Sequence, residues 1–527
     1  MVNEIHVGSS WRLCLAVMFL ALLVRLFIAS QLDCISRDGV QYVTYAKQLA
    51  DEPVKTMQTT TKQPGFSYLL LGTHRVIGPL VGGDTPQGWQ RCGQLLAIAG
   101  GVAACGLIYW LTCRLFEVTS AVVAGVLAAF WWEGAQSSAG VLSDMPHLAL
   151  YLAALLIGLA ALRSGRIRQF AVCGLLAGAA YALRQEPIGL VGAMGLCCLW
   201  PGQRIKLQRR ILGLALMAVC FAAVVAPYAF AVGQVMPNKN LHDLFHGWPG
   251  TARTASGSWF MLAEIIPWQK APARMAEDWA KNGRYAIAAL VLCGLFLRGA
   301  PASEGTGRRL IGFAILVHLV LVQLRVVVYG ETSARYMVIP AALSMPWAGS
   351  GLVALLNLII GRLEKRGNAL KGTVLVLGML APLAPQVYYH LRPANWERGP
   401  VAAAGRWLGE NAKPTERVLA ADRSEQVMFY ADRTYPHDED WVRFPEAATP
   451  DETARLIEQA RPSWFVEVES PRRRIGNEAT YFQELQRRIA LRLGPAWQST
   501  GGGTRVYVFE LVQSPEEGIG TTQPAGR

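Results

Sequence analysis

The sequence predicts a polytopic α-helical membrane protein of about eleven transmembrane helices followed by a small C-terminal α/β soluble domain. Three observations predict it: eleven apolar stretches within the first 390 residues, basic connections that recur on one side of them, and a polar tail of roughly 135 residues with its own helix and strand patterns.

A hydrocarbon core about 30 Å thick takes around 20 apolar residues per helical crossing. Such runs lie near 11–30, 90–113, 118–135, 145–162, 169–183, 187–200, 211–232, 284–298, 310–328, 337–360 and 372–390. The fifth, sixth and eighth are short. Backbone polar groups do not stay unpaired in lipid, so a short run beside Pro187 is expected to be tilted, broken or shielded by protein. The first run has few basic residues before it and no small-residue cleavage site, and reads as a retained helix.

Basic residues favour the cytoplasmic face. Arg163, Arg166 and Arg168; Arg204, Lys206, Arg209 and Arg210; Arg298, Arg308 and Arg309; and Arg362, Lys365, Arg366 and Lys371 all fall on one side if the N-terminus is cytoplasmic and eleven spans follow. Segments 31–89 and 233–283 and the tail then face outward, from a cell inner or plasma membrane into the periplasmic or extracytoplasmic space. The expected domains are a membrane module over 1–390, an outward α/β domain over 391–512 and a disordered tail over 513–527, rich in Gly, Thr, Pro and Glu. Hydrophobic residues are 52% of the chain and charged residues 17%; the net charge of +13 sits largely in the cytoplasmic connections, so no nucleic-acid partner is implied.

Nine of the ten cysteines lie in or beside the apolar runs, so no disulfide framework is indicated. Cys34 is the one thiol expected to face outward, and the Cys197–Cys198 pair reads as small helix packing. Within the tail, 400–411, 451–461 and 478–493 carry helical patterns, while 417–421, 463–468 and 504–511 are β-rich.

An ionisable residue near a membrane is retained where it is paired, wet or used, and five places meet that description. Ser36-Arg37-Asp38-Gly39 precedes apolar positions at helical spacing, with Tyr42 among them, so residues 40–50 read as an interfacial amphipathic helix. Asp38, near its start, suits a general base for an acceptor hydroxyl or an N-cap carboxylate. Lys62, before Gln63-Pro64-Gly65, suits a phosphate or an anionic headgroup. Asp144, before Pro146 and His147, is a cap or a second carboxylate of a shared site. Arg184-Gln185-Glu186-Pro187 ends the fifth run, and Arg335-Tyr336 enters the tenth. The two arginines either snorkel or join Lys62 in a cationic pocket.

Together these places resemble the integral-membrane glycosyltransferases of the GT-C fold, in particular the bacterial relatives of protein O-mannosyltransferases and the lipid A aminoarabinose transferase. The resemblance runs through order and placement over essentially the whole chain. It implies an inverting transfer of a sugar from a polyprenyl monophosphate to a lipid, glycan or protein acceptor on the outer face. Carried over, Asp38 is the catalytic carboxylate, Asp144 a second catalytic acid that with Glu186 shapes the site, Lys62, Arg184 and Arg335 phosphate contacts, and Arg37, Tyr42, Glu186 and Tyr336 further substrate contacts. Asp38 is followed by Gly39 where the family often has a second acid, so no required metal is implied, with a divalent ion left open.

Other readings compete. His242 and His246 stand four apart, as in a membrane zinc protease, but Asp243 replaces the usual glutamate and no third ligand follows. A transporter or flippase calls for internal symmetry and interrupted helices near the midplane, whereas the conspicuous charges lie at helix ends. Trp248, Trp259, Trp268 and Trp279 are interfacial anchors or line a lipid entrance. His437, Asp438, Glu439 and Asp440 read as a solvated loop.

Overall fold

Apolar runs and helix-stop signals translate into a chain of helices in the computed structural model, which describes residues 7–60, 62–201, 205–233, 269–297, 305–329, 332–363, 368–391, 398–413, 415–420, 424–432, 441–443, 449–469, 484–485, 487, 495–501 and 504–511. Contacts divide it into two units, Met1–Leu32 with Gln41–Ala394, and Asp33–Val40 with Asn395–Arg527. The second helix, α2, therefore begins in one unit and ends in the other.

The first unit is helical throughout its described residues: α1 (Val7–Ser30), α2 (Arg37–Asp51), α3 (Pro53–Thr59), α4 (Gly65–Val81), α5 (Pro86–Leu115), α6 (Val118–Phe130), α7 (Trp132–Ala139), α8 (Asp144–Ser164), α9 (Ile167–Leu183), α10 (Ile188–Leu199), α11 (Leu207–Val232), α12 (Ala271–Asn282), α13 (Ala286–Leu297), α14 (Gly305–Tyr329), α15 (Val338–Arg362), α16 (Asn368–Leu380) and α17 (Ala384–His390). Among the described residues, α1, α5, α8, α11, α14 and α15 are long and apolar enough to cross a membrane. Three bent pairs qualify when each is taken together: α6 with α7 at 53°, α12 with α13 at 103° and α16 with α17 at 46°. The shorter apolar helices α9 and α10 complete the set.

The bends correct the sequence reading. The runs at 118–135 and 372–390 are not single straight spans, and 271–282 within the expected outer loop is a helix. Ala271, Met275, Asp278 and Asn282 form its buried face, at the spacing of a helix that rests on protein along one side.

The α6–α7 break at Trp131 frees backbone groups, and buried side chains take them up. Arg25 of α1 donates to Ala129 O (3.2 Å), His390 Nε2 bonds Phe130 O (2.8 Å), and Trp132 N donates to Gln386 Oε1 (3.0 Å). Such re-satisfaction is what permits irregular backbone at membrane depth. Trp131 is buried in the main hydrophobic core with Tyr109 and Tyr151.

In the second unit, α18 (Gly399–Asn411), α19 (Ser424–Tyr430) and α20 (Pro450–Ala460) accompany β1 (Val418–Ala420), β2 (Trp441–Arg443), β3 (Trp464–Glu469), β4 (Pro495–Gly501) and β5 (Thr504–Glu510). The strands form one sheet in the order β2-β1-β3-β5-β4. β1 is parallel to β2 and β3, and β5 is antiparallel to β3 and β4. Val401, Ala404 and Leu408 of α18 pack in one core with Val418, Val466, Val506 and Val508. A capping box between Thr449 and Glu452, with Pro450 in the first turn, starts α20. Segment 33–40 belongs to this unit because Ile35 N donates to the Tyr430 hydroxyl (2.9 Å) and Gln426 Nε2 donates to Ile35 O (2.9 Å).

Cys34, expected as an outward thiol, is buried. None of the ten cysteines is in a disulfide. The helix expected at 478–493 falls almost wholly outside the described residues, as do Trp248, Trp259, Trp268, His242, His246, the 437–440 cluster and the tail from 513.

Candidate active site

Four helix ends of the first unit converge on one buried carboxylate. Asp144 opens α8, and the start of that helix sits directly against α5: a Cβ at Gly100 would collide with the Met145–Pro146 backbone. Arg184 closes α9, where Gly65 at the start of α4 lies against the Ala182 backbone with no room for a side chain. The Lys62-Gln63-Pro64-Gly65 segment thereby reaches the end of α9.

Asp144 receives three N–H groups from two arginines. Arg335 forks onto it, Nε to Oδ1 at 2.8 Å and Nη2 to Oδ2 at 2.6 Å, and Arg184 Nη1 adds a bond to Oδ1 at 3.0 Å. Paired N–H···O bonds of this kind are the strong, directional form of the ion pair. Arg184 also grips Glu186 through Nε at 2.9 Å and Nη2 at 2.7 Å. The Asp144 side chain is 3% exposed, while those of Arg184, Glu186 and Arg335 are 17%, 24% and 26% exposed. The acid is therefore sealed and its cations face outward.

Their exposed side lines a small recess together with His147, His318, Tyr336, Val338 and Ile339. Glu186 lies in the connection between α9 and α10. Burial would raise its carboxyl, but the Arg184 guanidinium, His147 and the Arg184 hydrogen bond outweigh that and hold it well below the usual carboxylate range. Glu186 therefore stays charged beside Arg184.

Lys62 adds positive charge nearby. Its Nζ lies 4.5 Å from the centre of the Tyr42 ring, and the Tyr42 hydroxyl is 2.7 Å from Ser143 Oγ, next to Asp144 in the chain. Phe66 of α4 meets Tyr42 edge-on and Ser67 Oγ donates to Tyr42 O (3.0 Å), which holds α2 against α4.

Of the candidates read from sequence, Tyr42, Lys62, Asp144, Arg184, Glu186, Arg335 and Tyr336 thus lie in one linked arrangement. In the structure both oxygens of Asp144 are engaged by guanidinium groups, and the carboxylate holds the two arginines together. Arg37 donates through Nη2 to Glu425 Oε1 at 2.9 Å, and Glu425 is 2% exposed, so this arginine neutralises a buried acid of the C-terminal unit. Asp38 stands beside it in the first turn of α2. Sequence reasoning missed His318, although a histidine inside an apolar run was a usable signal. It also passed over His147, buried one turn into α8. Among the described residues no group of three or more His, Cys, Asp or Glu side chains is arranged to hold a metal ion.

Comparison with known proteins bears on the fold. The structure resembles ArnT from Cupriavidus metallidurans in the apo state (TM-score 0.55, 14% identity, covering 95% of this chain and 98% of that one) and the same protein bound to undecaprenyl phosphate (TM-score 0.56, 14% identity, the same coverage). It also resembles the archaeal oligosaccharyltransferase AglB from Archaeoglobus fulgidus, in complex with an inhibitory peptide and a dolichol-phosphate (TM-score 0.52, 12% identity, 88% of this chain and 70% of that one). The chain has the architecture of the integral-membrane glycosyltransferases of the GT-C fold. Within that class, residues 90–230 match the family described as dolichyl-phosphate-mannose-protein mannosyltransferase. No curated protein sequence matches the chain.

Proposed function

We propose that this protein is an inverting glycosyltransferase that moves a sugar from a polyprenyl monophosphate to a lipid, glycan or protein acceptor at the outer face of a cell inner or plasma membrane. The N-terminus is cytoplasmic and the C-terminal domain extracytoplasmic. The observation that carries the reading is the convergence of Arg184 and Arg335, which are 151 positions apart, on buried Asp144 beside a recess. The fold shared with a protein bound to undecaprenyl phosphate supports it.

The chemistry follows from charge. An acceptor hydroxyl attacks the anomeric carbon as the phosphate leaves with the bonding electrons, so negative charge grows on the phosphate oxygens. Preorganised donors aimed at that charge are worth about 3 kcal/mol each. Lys62 brings a further cation, and Arg184 and Arg335 supply directed N–H groups on rigid supports. Asp38 takes the hydroxyl proton. These cations do the work expected of a divalent ion at a phosphate leaving group, and turnover is expected without one.

The test is sugar release from a panel of polyprenyl monophosphate sugars by purified protein in lipid, with EDTA present, for the native chain and Asp38→Asn. The expected result is release by the native chain and a loss of about 10²–10⁴-fold in the variant. Equal turnover removes Asp38 from the mechanism. No release with any donor, across lipid, glycan and peptide acceptors, overturns the reading.

A further inference from the structure

Arg335 sits in a single 3₁₀ turn, Ala334–Met337. Four residues of such a turn do not fix themselves, yet the Arg335 guanidinium meets Asp144 in a two-point fork that tolerates little misplacement. What holds the turn lies on either side of Arg335. Asn282 Nδ2, from the end of α12, donates to Ala334 O at 2.6 Å. His318 Nε2, from α14, bonds Tyr336 O at 2.8 Å. The carbonyls before and after Arg335 are thus each engaged by a side chain from a different helix, one fully buried and the other 3% exposed.

Chemistry fixes both orientations. The Trp131 indole N–H is a donor only, and it points at Asn282 Oδ1 at 2.7 Å. The amide nitrogen of Asn282 therefore faces the Ala334 carbonyl, an acceptor only. A backbone carbonyl likewise requires the proton of His318 on Nε2. Trp131 lies at the α6–α7 break, so the bend in that span is linked to the site through Asn282 and one peptide group.

We infer that Asn282 and His318 are positioning residues that clamp the Arg335 turn and set the aim of its guanidinium. The inference rests on the transfer reading for its consequence in turnover, and on geometry alone for the coupling. Displacing an aimed group by about 1 Å is enough to cost about 100-fold in rate.

The experiment is a set of double-mutant cycles in lipid-reconstituted protein: Asn282→Leu, His318→Phe and the donor-retaining His318→Gln, each alone and combined with Arg335→Ala. Turnover with a polyprenyl-phosphate sugar and the thermal midpoint are read for every variant. Asn282→Leu and His318→Phe are expected to lower kcat about 10–100-fold with donor KM within about threefold of native. His318→Gln is expected to recover most of that loss. In the Arg335→Ala background neither substitution lowers kcat further. Losses that add in that background, or a kcat untouched by either substitution, overturn the clamp. If Asn282→Leu does not fold, the His318 pair decides by the same criteria. A native chain without turnover sinks the transfer reading instead. The clamp is then judged by midpoints: a combined loss smaller than the two single losses together supports it, and additive losses overturn it.

Discussion

Two arginines of the first unit show how differently the same side chain is used. Arg25, inside α1 and 1% exposed, meets only uncharged acceptors among the described residues: Ser138 Oγ at 3.0 Å, Ala21 O at 3.1 Å, Ala129 O at 3.2 Å and Cys105 Sγ at 3.3 Å. Arg335 forks onto a carboxylate and keeps one side toward a recess. The first arginine repairs a broken helix and is sealed in place. The second is held from behind by a charge, and an anion arriving from the front meets a rigid donor. A cation in a membrane protein is therefore read from its partners, not from its depth.

The comparison breaks most visibly at Asp144. Asp144→Asn leaves two guanidinium groups facing an amide that can accept through one oxygen only. It is expected to cost about 3–5 kcal/mol of stability and at least about 100-fold in turnover, read by thermal unfolding in lipid and by sugar release. If stability alone fell, the cluster would be structural, like Arg25. Arg335→Lys keeps the charge and loses the fork. A loss of about 2 kcal/mol is expected, with turnover down about 10–100-fold because the donor is no longer aimed. Full turnover in the lysine variant would show that charge without direction suffices.

Arg25→Met should do the opposite. It leaves the Ala129 carbonyl and Ser138 without their donor, a cost of about 1–3 kcal/mol. The folded fraction, measured by size-exclusion profile, should shrink while turnover per folded molecule stays near native. A large loss of specific activity would erase the distinction between the two arginines.

The smallest effect concerns Glu186. Its folded carboxyl lies below the unfolded value of about 4.3, so its ionised form stabilises the fold above that value, and the contribution fades as pH falls through the lower folded value. The midpoint difference between native and Glu186→Gln protein is expected to be flat from neutral pH down to about pH 5.5 and to narrow below about pH 4. A difference that changes near pH 7 would contradict the charged assignment.

Much of this was legible in the sequence because it is local. Apolar runs locate α1, α5, α8, α11, α14 and α15, helical spacing after Asp38 locates α2, and charges at helix ends point to Asp144, Arg184 and Arg335. The breaks were not legible. Trp131 is as apolar as its neighbours, and the groups that satisfy the break, Arg25, Gln386 and His390, lie more than a hundred positions away. The role of Asp144 was hidden for the same reason, since an acid before a proline reads as a cap until its distant arginines are seen. In the tail, β5 alternates buried and exposed residues and was found, whereas β4, Pro495–Gly501, carries serine, threonine and glycine and owes its strand to pairing with β5.

Arg25 also has a history within each molecule. Its bonds reach forward along the chain by 80 residues to Cys105, 104 to Ala129 and 113 to Ser138. At synthesis rates of about 5–20 residues per second, those partners emerge roughly 10 s after the first helix. For that interval the newborn helix carries a guanidinium whose bond to Ala21 is the one partner already made. The order in which the ribosome delivers α1, α5, α6 and α7 is thus part of how this protein tolerates a cation in its first helix.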